Sequence, residues 1–247
     1  ETDTKHYITQ NYCTIRRDMR LDRMLSEMKI ATRKEIKQMV KKGIITVNDV
    51  TVKKSSEHID ENNDVVKIYD EVIEYRKYLY FVMNKRKGVT SHSKDPMHKT
   101  VIDDMGELCV FDLSPVGRLD LDTTGLLIIT NDGKFAHNLI SPKKDVSKKY
   151  KVTLRDKVDE KYNDTFEKGI KLMPEDIITK PATMEIIDDY NCYLTIKEGK
   201  YHQVKRMFEK VGNEVVELKR VQIGDFKLPD DLEEGDFREL TDEELKI

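Results

Sequence analysis

Two aspartates, Asp120 and Asp122, stand two positions apart in the segment GRLDLDTTGLLIITNDG, just before an apolar run that ends at Ile129. A carboxylate at the edge of a buried strand is unfavourable unless it is paired or hydrogen-bonded. In one interpretation the two aspartates close a turn, and Asn131-Asp132-Gly133 forms the tight turn after the strand. In a second, two carboxylates share acid–base hydrolysis, although DTTG has no second copy to supply the partner. In a third, one aspartate is a nucleophile, and the residue types alone leave all three open.

The composition narrows the classes of protein to consider. Charged residues make up 37% of the 247 residues. No apolar run approaches the roughly 18–20 residues that span a bilayer, so we expect no membrane protein. The three cysteines form no CxxC pair, and the six histidines show no HExxH or related spacing. We therefore expect a reducing, cytoplasmic location without disulfides or metal sites.

Positive charge is concentrated near the start of the patterned sequence. The net charge is −3, yet residues 19–59 contain ten Lys or Arg against five Asp or Glu. A basic segment at 19–59 in an otherwise acidic chain suggests a module that binds a polyanion. A solvated basic helix would have the same composition.

Two helices and a hairpin are predicted after Met19. Apolar residues spaced i, i+3, i+4 and i+7 predict a first helix that starts near Leu21. Thr32 and Glu35 have the spacing of a capping box for a second helix, which Gly43 ends. Two short strands joined by an Asn-Asp turn follow.

Helix, basic helix and hairpin in this order resemble the S4 RNA-binding domain. We place its limits at 19–74, and the second domain at 75–247. Residues 1–18 show no periodicity and are interpreted as a leader or an added extension. The resemblance implies that basic side chains of this domain bind RNA, namely Arg20, Arg23, Arg33, Lys34, Lys37, Lys41 and Lys42.

The second domain is predicted to be rich in strands. Helical patterns lie only near 160–169 and 201–211, and they do not alternate regularly with the strands. We therefore predict an α+β fold with a mixed, mainly antiparallel sheet. The acidic tail after residue 229 is interpreted as solvated surface. The predicted strands are YLYFVMNK (78–85), KYKVTL (149–154), ATMEII (182–187), CYLTIK (192–197) and EVVELKRVQI (214–223).

The segment VGRLDLDTTGLLIITNDG resembles the central catalytic motif of the pseudouridine synthases, in the RsuA/RluB-type branch that carries an S4 domain. Further segments resemble the same family in the same order: NKRKG (84–88), KKYKVTL (148–154), EGKYHQVKRMFEKVGNEVVELKRVQIG (198–224) and GDFRELTDEEL (235–245). EGKYHQVKRM is closer to the RsuA type, which acts on small-subunit 16S rRNA at uridine 516. The resemblance also implies a central active-site cleft, and the implied reaction is isomerisation of uridine to pseudouridine without a cofactor.

The resemblance implies that Asp120 is the nucleophile, while Asp122 fixes the turn with the threonines that follow it. Tyr150 would stack on the uracil and assist removal of the C5 proton. A semi-buried carboxylate needs a nearby cation to stay ionised. On the helix around 201–211, Lys205 lies at the border of the apolar face and Arg206 points nearly opposite. We therefore predict that Lys205 pairs with Asp120, with Arg206 as the second choice.

Substrate contacts are assigned to Arg118, Gln203 and Arg206, with Arg206 expected on an RNA phosphate. The target base must leave its stack to be reached. Attack of Asp120 at C1′, attack at C6 and removal of the C2′ proton all remain open; we favour the last, which passes through a glycal. We expect a monomer acting on 16S rRNA, naked or in an assembly intermediate. The alternatives are the same chemistry on 23S rRNA and a non-catalytic ribosome-assembly protein.

Overall fold

The computed structural model describes residues 19–141 and 144–246, which form two compact units divided between Lys77 and Tyr78. The division lies close to the boundary expected near Glu74. The segment 1–18, expected to be a leader or an extension, is outside the described residues. Nowhere in the described residues is there a helix with both the length and the apolar character needed to cross a bilayer.

Unit one begins with two helices, α1 (Leu21–Glu27) and α2 (Arg33–Lys41), as predicted. The capping box is formed: the Thr32 hydroxyl accepts from the Glu35 amide at 3.3 Å, and the Glu35 carboxylate accepts from the Thr32 amide at 2.8 Å. Gly43, with φ of +70°, ends α2 in the left-handed conformation. The sequence signals at both ends of α2 therefore set its length.

The strands of unit one form a small sheet in the order β3-β2-β5-β6 and a separate β1–β4 pair. Asn48 and Asp49 have φ of 52° and 64°, which suits a tight two-residue hairpin turn between β2 and β3. Apolar side chains of both helices and this sheet form one core. The strands are β1 (Met19–Arg20), β2 (Ile45–Val47), β3 (Val50–Thr51), β4 (His58–Ile59), β5 (Val66–Ile68) and β6 (Glu71–Ile73).

In the described part of unit two, nine strands form one sheet along the path β13-β14-β10-β15-β9-β7-β17, with β16 on β15 and β8 on β9. These strands are β7 (Tyr80–Lys85), β8 (Ser114–Val116), β9 (Thr124–Thr130), β10 (Lys148–Leu154), β13 (Thr183–Ile186), β14 (Asn191–Ile196), β15 (Val215–Ile223), β16 (Phe226–Lys227) and β17 (Phe237–Glu239). A further pair is formed by β11 (Lys171–Leu172) and β12 (Ile177–Ile178).

Helices lie between the strands: α3 (Gly133–Ile140), α4 (Lys161–Glu167) and α5 (Gln203–Lys210), with short 3₁₀ helices at Asp103–Val110 and Glu244–Lys246. The β9–β15 pair is parallel and its neighbours in the sheet are antiparallel. The predicted α+β fold with a mixed, mainly antiparallel sheet is confirmed.

The parallel pairing of β9 and β15 depends on Gly125. Its φ is +101°, and a Cβ at this position would overlap the backbone carbonyl of Arg220 on β15. Only glycine combines this conformation with such a close approach of two strands. The contact joins the strand after the two aspartates to the strand that carries Arg220.

Two local predictions were wrong. Asn131-Asp132-Gly133 is not a simple tight turn, because the Asp132 carboxylate accepts from the amides of Lys134 and Phe135 at 2.9 and 3.1 Å and so caps α3. The acidic tail is not only solvated surface: its strand β17 pairs with β7, and Leu240 is buried beside it. The strand has only three residues and acidic residues flank it in the sequence, which hid this pairing.

Candidate active site

Asp120 lies on the loop that leads into β9, and a buried lysine donates hydrogen bonds to the backbone of this loop. Lys85 Nζ donates to the backbone carbonyls of Asp120 at 3.0 Å and Thr123 at 2.8 Å. The Thr123 amide also donates to the Asp120 carbonyl at 3.1 Å. The Ser91 hydroxyl donates to the Leu119 carbonyl and accepts from the Leu119 amide, each at 3.0 Å. The backbone around Asp120 is therefore fixed on both sides.

Lys85 is fully buried at the end of β7 and was missed in the sequence. Burial lowers the pKa of its ammonium to about 8, against the opposing attraction of Asp122 and Asp120. The available signal was a charged residue at the end of an apolar strand. Its partners, however, are carbonyls of a loop distant in the sequence.

The Asp120 carboxylate has two nitrogen-bearing neighbours. Lys205 Nζ is 3.5 Å from Oδ2, and His202 Nε2 is 3.6 Å from Oδ1. The Asp120 side chain is 30% exposed, so it is neither in bulk solvent nor sealed in the core. It is thus accessible to a ligand while standing beside an ammonium group.

Lys205 bonds more closely to Asp122 than to Asp120. Its Nζ lies 2.6 and 2.9 Å from the two carboxylate oxygens of Asp122. Burial opposes ionisation of Asp122, but the Lys205 hydrogen bond and charge outweigh it and lower the pKa of Asp122. The assignment of Asp122 to the turn is therefore corrected: its side chain bonds to α5 and positions Lys205.

His202, not singled out in the sequence, precedes α5 with a left-handed φ of 47°. Its ring stacks on the Tyr201 ring with a centroid distance of 3.8 Å. This unusual backbone conformation turns the histidine toward Asp120. The sequence signal was its place in EGKYHQVKRM, but the resemblance alone attached no role to it.

Two residues that were predicted to contact substrate, Arg206 and Gln203, form bonds within the protein. Arg206 Nη1 donates to the Tyr201 carbonyl at 2.9 Å, Nη2 donates to the Met173 carbonyl at 2.5 Å, and the guanidinium pairs with Glu175. Arg206 is thus bonded within the protein, and its contact with an RNA phosphate stays a prediction.

Gln203 is buried and holds the loop before α5. Its amide oxygen accepts from the Lys200 amide at 2.9 Å, and its Nε2 donates to Glu198 at 2.9 Å. Gln203 lines the cleft, but both ends of its amide bond to protein groups. These bonds position the loop, and the role of Gln203 in binding substrate stays a prediction.

Tyr150 and Arg118 both reach the cleft. Tyr150 on β10 is 7% exposed and pairs in register with Leu194 on β14 and Arg220 on β15. Arg118 is exposed, with Nη1 at 3.4 Å from His92 Nε2. The cleft therefore offers a buried aromatic ring at its floor and a cation at its rim.

The cleft has a volume of about 760 Å³ and opens onto Asp120, Tyr150, Arg118 and Gln203. This volume falls in the range of small-molecule sites. Its basic lining residues outnumber the acidic ones, Asp120 and Glu198, although the whole chain is acidic. The lysines and arginines in the lining are Arg118, Lys148, Lys180, Lys197, Lys200 and Arg220.

Comparison with known proteins agrees with this arrangement. Residues 79–210 match the family model described as RNA pseudouridylate synthase, and residues 19–66 match the S4 domain. The ribosomal small subunit pseudouridine synthase A of Vibrio cholerae is 41% identical over 227 residues, which cover 92% of this chain and 98% of the relative. The chain belongs to the RNA pseudouridine synthase family.

Two other synthases also align over nearly the whole length of both chains. An uncharacterized RNA pseudouridine synthase of Bacillus subtilis, YtzG, is 44% identical across 93% of this chain and 98% of its own length. A solved pseudouridylate synthase aligns with a TM-score of 0.66 and 40% identity, covering 92% of this chain and 98% of the other. The predicted family, S4 domain and isomerase class are confirmed.

Proposed function

We propose that this synthase isomerises one uridine of small-subunit 16S rRNA to pseudouridine, with Asp120 as its catalytic carboxylate. The observation that carries the proposal is the partly exposed Asp120 carboxylate, which stands between Lys205 and His202 and opens onto a cleft that Tyr150 also lines. Relatives named ribosomal small subunit pseudouridine synthase A support the choice of RNA. The RsuA-type motif further points to uridine 516.

Isomerisation requires the uracil to detach from C1′, rotate and rejoin through C5. Asp120 supplies an ionised carboxylate for the step at the sugar, and Lys205 keeps that charge favourable beside the cleft. Of the three routes, removal of the C2′ proton by Asp120 gives a glycal and a free uracil anion. Asp122 holds Lys205 in place through two hydrogen bonds.

The reacting atoms lie within the RNA stack, so the nucleotide must swing into the cleft. The buried ring of Tyr150 offers a flat surface for the flipped uracil, and the exposed Arg118 lies where the backbone of the nucleotide would enter. A detached uracil has to stay in the site until C5 bonds to C1′. A cleft lined by the buried ring of Tyr150 can hold the detached uracil during this interval.

We propose that α2 supplies the main RNA contacts of the S4 domain. Arg20 pairs with Asp22 at 2.6 Å, and Arg23 pairs with Glu27 at 2.7 Å, so these two charges are already compensated. The basic side chains of α2 and its end are exposed and form no ion pair with another described residue: Arg33, Lys34, Lys37, Lys41 and Lys42. This face can displace counterions from a phosphate backbone.

The proposed substrate is tested with purified protein on 16S and 23S transcripts, naked and in assembly intermediates. Pseudouridines are mapped by primer extension after carbodiimide modification. A single new pseudouridine in 16S rRNA, at position 516, is the expected result.

Modification only in 23S rRNA would overturn the substrate assignment while keeping the chemistry. Tight binding without pseudouridine in any substrate would favour the non-catalytic assembly protein. A bacterial ribosomal substrate would also place the enzyme in the cytoplasm. Sedimentation of the protein alone and with RNA tests the expected monomer.

A further inference from the structure

Arg220 is a buried cation for which the nucleophile and its partners leave no role. It lies on β15, lines the cleft and is 2% exposed. Its Nε donates to the Leu126 carbonyl at 2.8 Å, while its Nη2 is buried without a hydrogen-bond partner among the described residues. A buried guanidinium group with an unused donor and no carboxylate partner is unfavourable. Such a group points to a ligand.

A second positively charged side chain, that of Lys148, lies in the same cleft as the Arg220 guanidinium. Lys148 lines the same cleft on β10, two residues before Tyr150, so the two side chains share one face of the strand. Burial lowers the pKa of the Lys148 ammonium, and the nearby charge of Arg220 lowers it further, with Glu198 opposing. Two like charges at the floor of one cleft repel each other unless an anion or carbonyl oxygens lie between them.

The position of these cations favours the base over a phosphate. Arg220 pairs in register with Tyr150, and Leu218, two residues earlier on β15, also lines the cleft. Paired residues on neighbouring strands lie side by side on one face. An aromatic ring and a leucine beside a guanidinium suit a flat ring with polar edges. The exposed Lys197 and Lys200 at the rim are better placed for phosphates.

We propose that Arg220 and Lys148 bind the carbonyl oxygens of the flipped uracil and stabilise the negative charge that the ring carries after its bond to C1′ breaks. The inference rests on the proposed isomerase function. In the glycal route, Asp120 takes the C2′ proton, the C1′–C2′ double bond forms, and the electron pair of the C1′–N1 bond leaves with the uracil. The ring then carries one negative charge, spread over N1, O2 and O4. Fixed donors in a water-poor cleft stabilise such developing charge.

The test compares transcripts that contain uridine or 5-fluorouridine at the target position. Because fluorine withdraws electrons, the fluorinated ring is a better leaving group. Its negative charge therefore needs less stabilisation by the protein. Single-turnover loss of the parent nucleoside is followed by chromatography and mass spectrometry of digested RNA. We expect Arg220→Met to slow the reaction by about 100-fold on uridine and by at least tenfold less on 5-fluorouridine.

Controls separate this role from others. Arg155→Met removes an exposed arginine that pairs with Asp156 and Glu214 outside the cleft, and both rates should remain at the wild-type level. If Arg220→Met does not fold, Lys148→Met replaces it, because this variant keeps the Nε hydrogen bond of Arg220. Its rate losses on uridine and on 5-fluorouridine are compared in the same way. Equal losses on both bases would overturn the inference and indicate a structural role.

Binding and salt dependence test the phosphate alternative. If Arg220 bound a phosphate, Arg220→Met would weaken RNA affinity and flatten its salt dependence, with equal rate losses on both bases. The inference predicts an unchanged dissociation constant for RNA. Wild-type protein that forms no pseudouridine would refute the proposed function, whereas active wild-type enzyme with base-independent losses would refute only the role of Arg220 and Lys148.

Discussion

The ammonium of Lys205 stands 3.5 Å from the carboxylate of Asp120, across the gap between α5 and the loop before β9. The same ammonium is hydrogen-bonded to Asp122 at 2.6 Å. A single lysine thus joins the two aspartates of the motif, one exposed and one facing the cleft. Asp120 reaches the cleft, and Asp122 bonds to the cation beside it; we propose the chemistry for Asp120 and the positioning of Lys205 for Asp122.

This arrangement predicts a difference between adjacent residues on α5. Lys205→Met removes the ammonium beside Asp120, and we expect the single-turnover rate to fall by about 100-fold with little change in melting temperature. Arg206→Met should leave the rate near wild type but cost about 1–2 kcal/mol of stability, because the Tyr201 and Met173 carbonyls lose their donor. Equal rate losses in the two variants would refute the assignment.

Part of the site could be predicted because it follows from local pattern. Asp120 lies in a motif, and the position of Lys205 at the border of the apolar face of α5 agrees with its place beside Asp120. Lys85 and Arg220 could not be predicted, since their partners are backbone carbonyls of distant segments and their importance comes from burial. A lysine or arginine within a strand pattern does not reveal whether it is solvated.

The fold shows the same division. The ends of α2 follow from the capping box and Gly43, which act within a few residues. The edge strand β17 was missed because its pairing with β7 joins segments far apart in the chain and because the strand has only three residues. From the sequence, Asp132 could either close a turn or cap a helix. The structure shows that it caps α3, because its carboxylate accepts from amides of the first turn of that helix.

The buried Lys85 makes stability depend on pH. Its folded-state pKa of about 8 lies below the usual 10.5, so between these values the unfolded chain binds more protons and stability rises with pH. Relative to Lys85→Met, the free energy of unfolding of the wild type should increase by about 2–3 kcal/mol from pH 7 to pH 10. Urea titrations at both pH values measure it. A constant difference between the two proteins would show that Lys85 is not neutralised in this range.

Gly125 should be intolerant of a side chain. We expect Gly125→Ala to cost more than about 2 kcal/mol, since its φ of +101° and the Arg220 carbonyl both exclude a Cβ. Gly133→Ala is the matched control, because a Cβ there meets open space at the start of α3. It should be neutral or stabilising by about 0.4–1 kcal/mol. Thermal or urea unfolding compares them, and equal stabilities would contradict the close β9–β15 contact.

The RNA face of the S4 domain can be tested by charge-matched double variants. Lys37→Gln/Lys41→Gln removes two unpaired charges of α2, and the slope of log affinity against log salt should flatten by about 1–2. Arg20→Gln/Arg23→Gln also removes two charges, but each is already paired within unit one. Its slope should stay near wild type. The reverse order would place the RNA contact on the first helix instead.

The most direct test concerns the carboxylate of Asp120. Tritium release from 16S transcript labelled at C5 of uridine reports formation of the new C–C bond, and binding of the same RNA is measured in parallel. Asp120→Asn should release no tritium above background while it binds RNA as tightly as the wild type. Tritium release by Asp120→Asn at the wild-type rate would contradict the account.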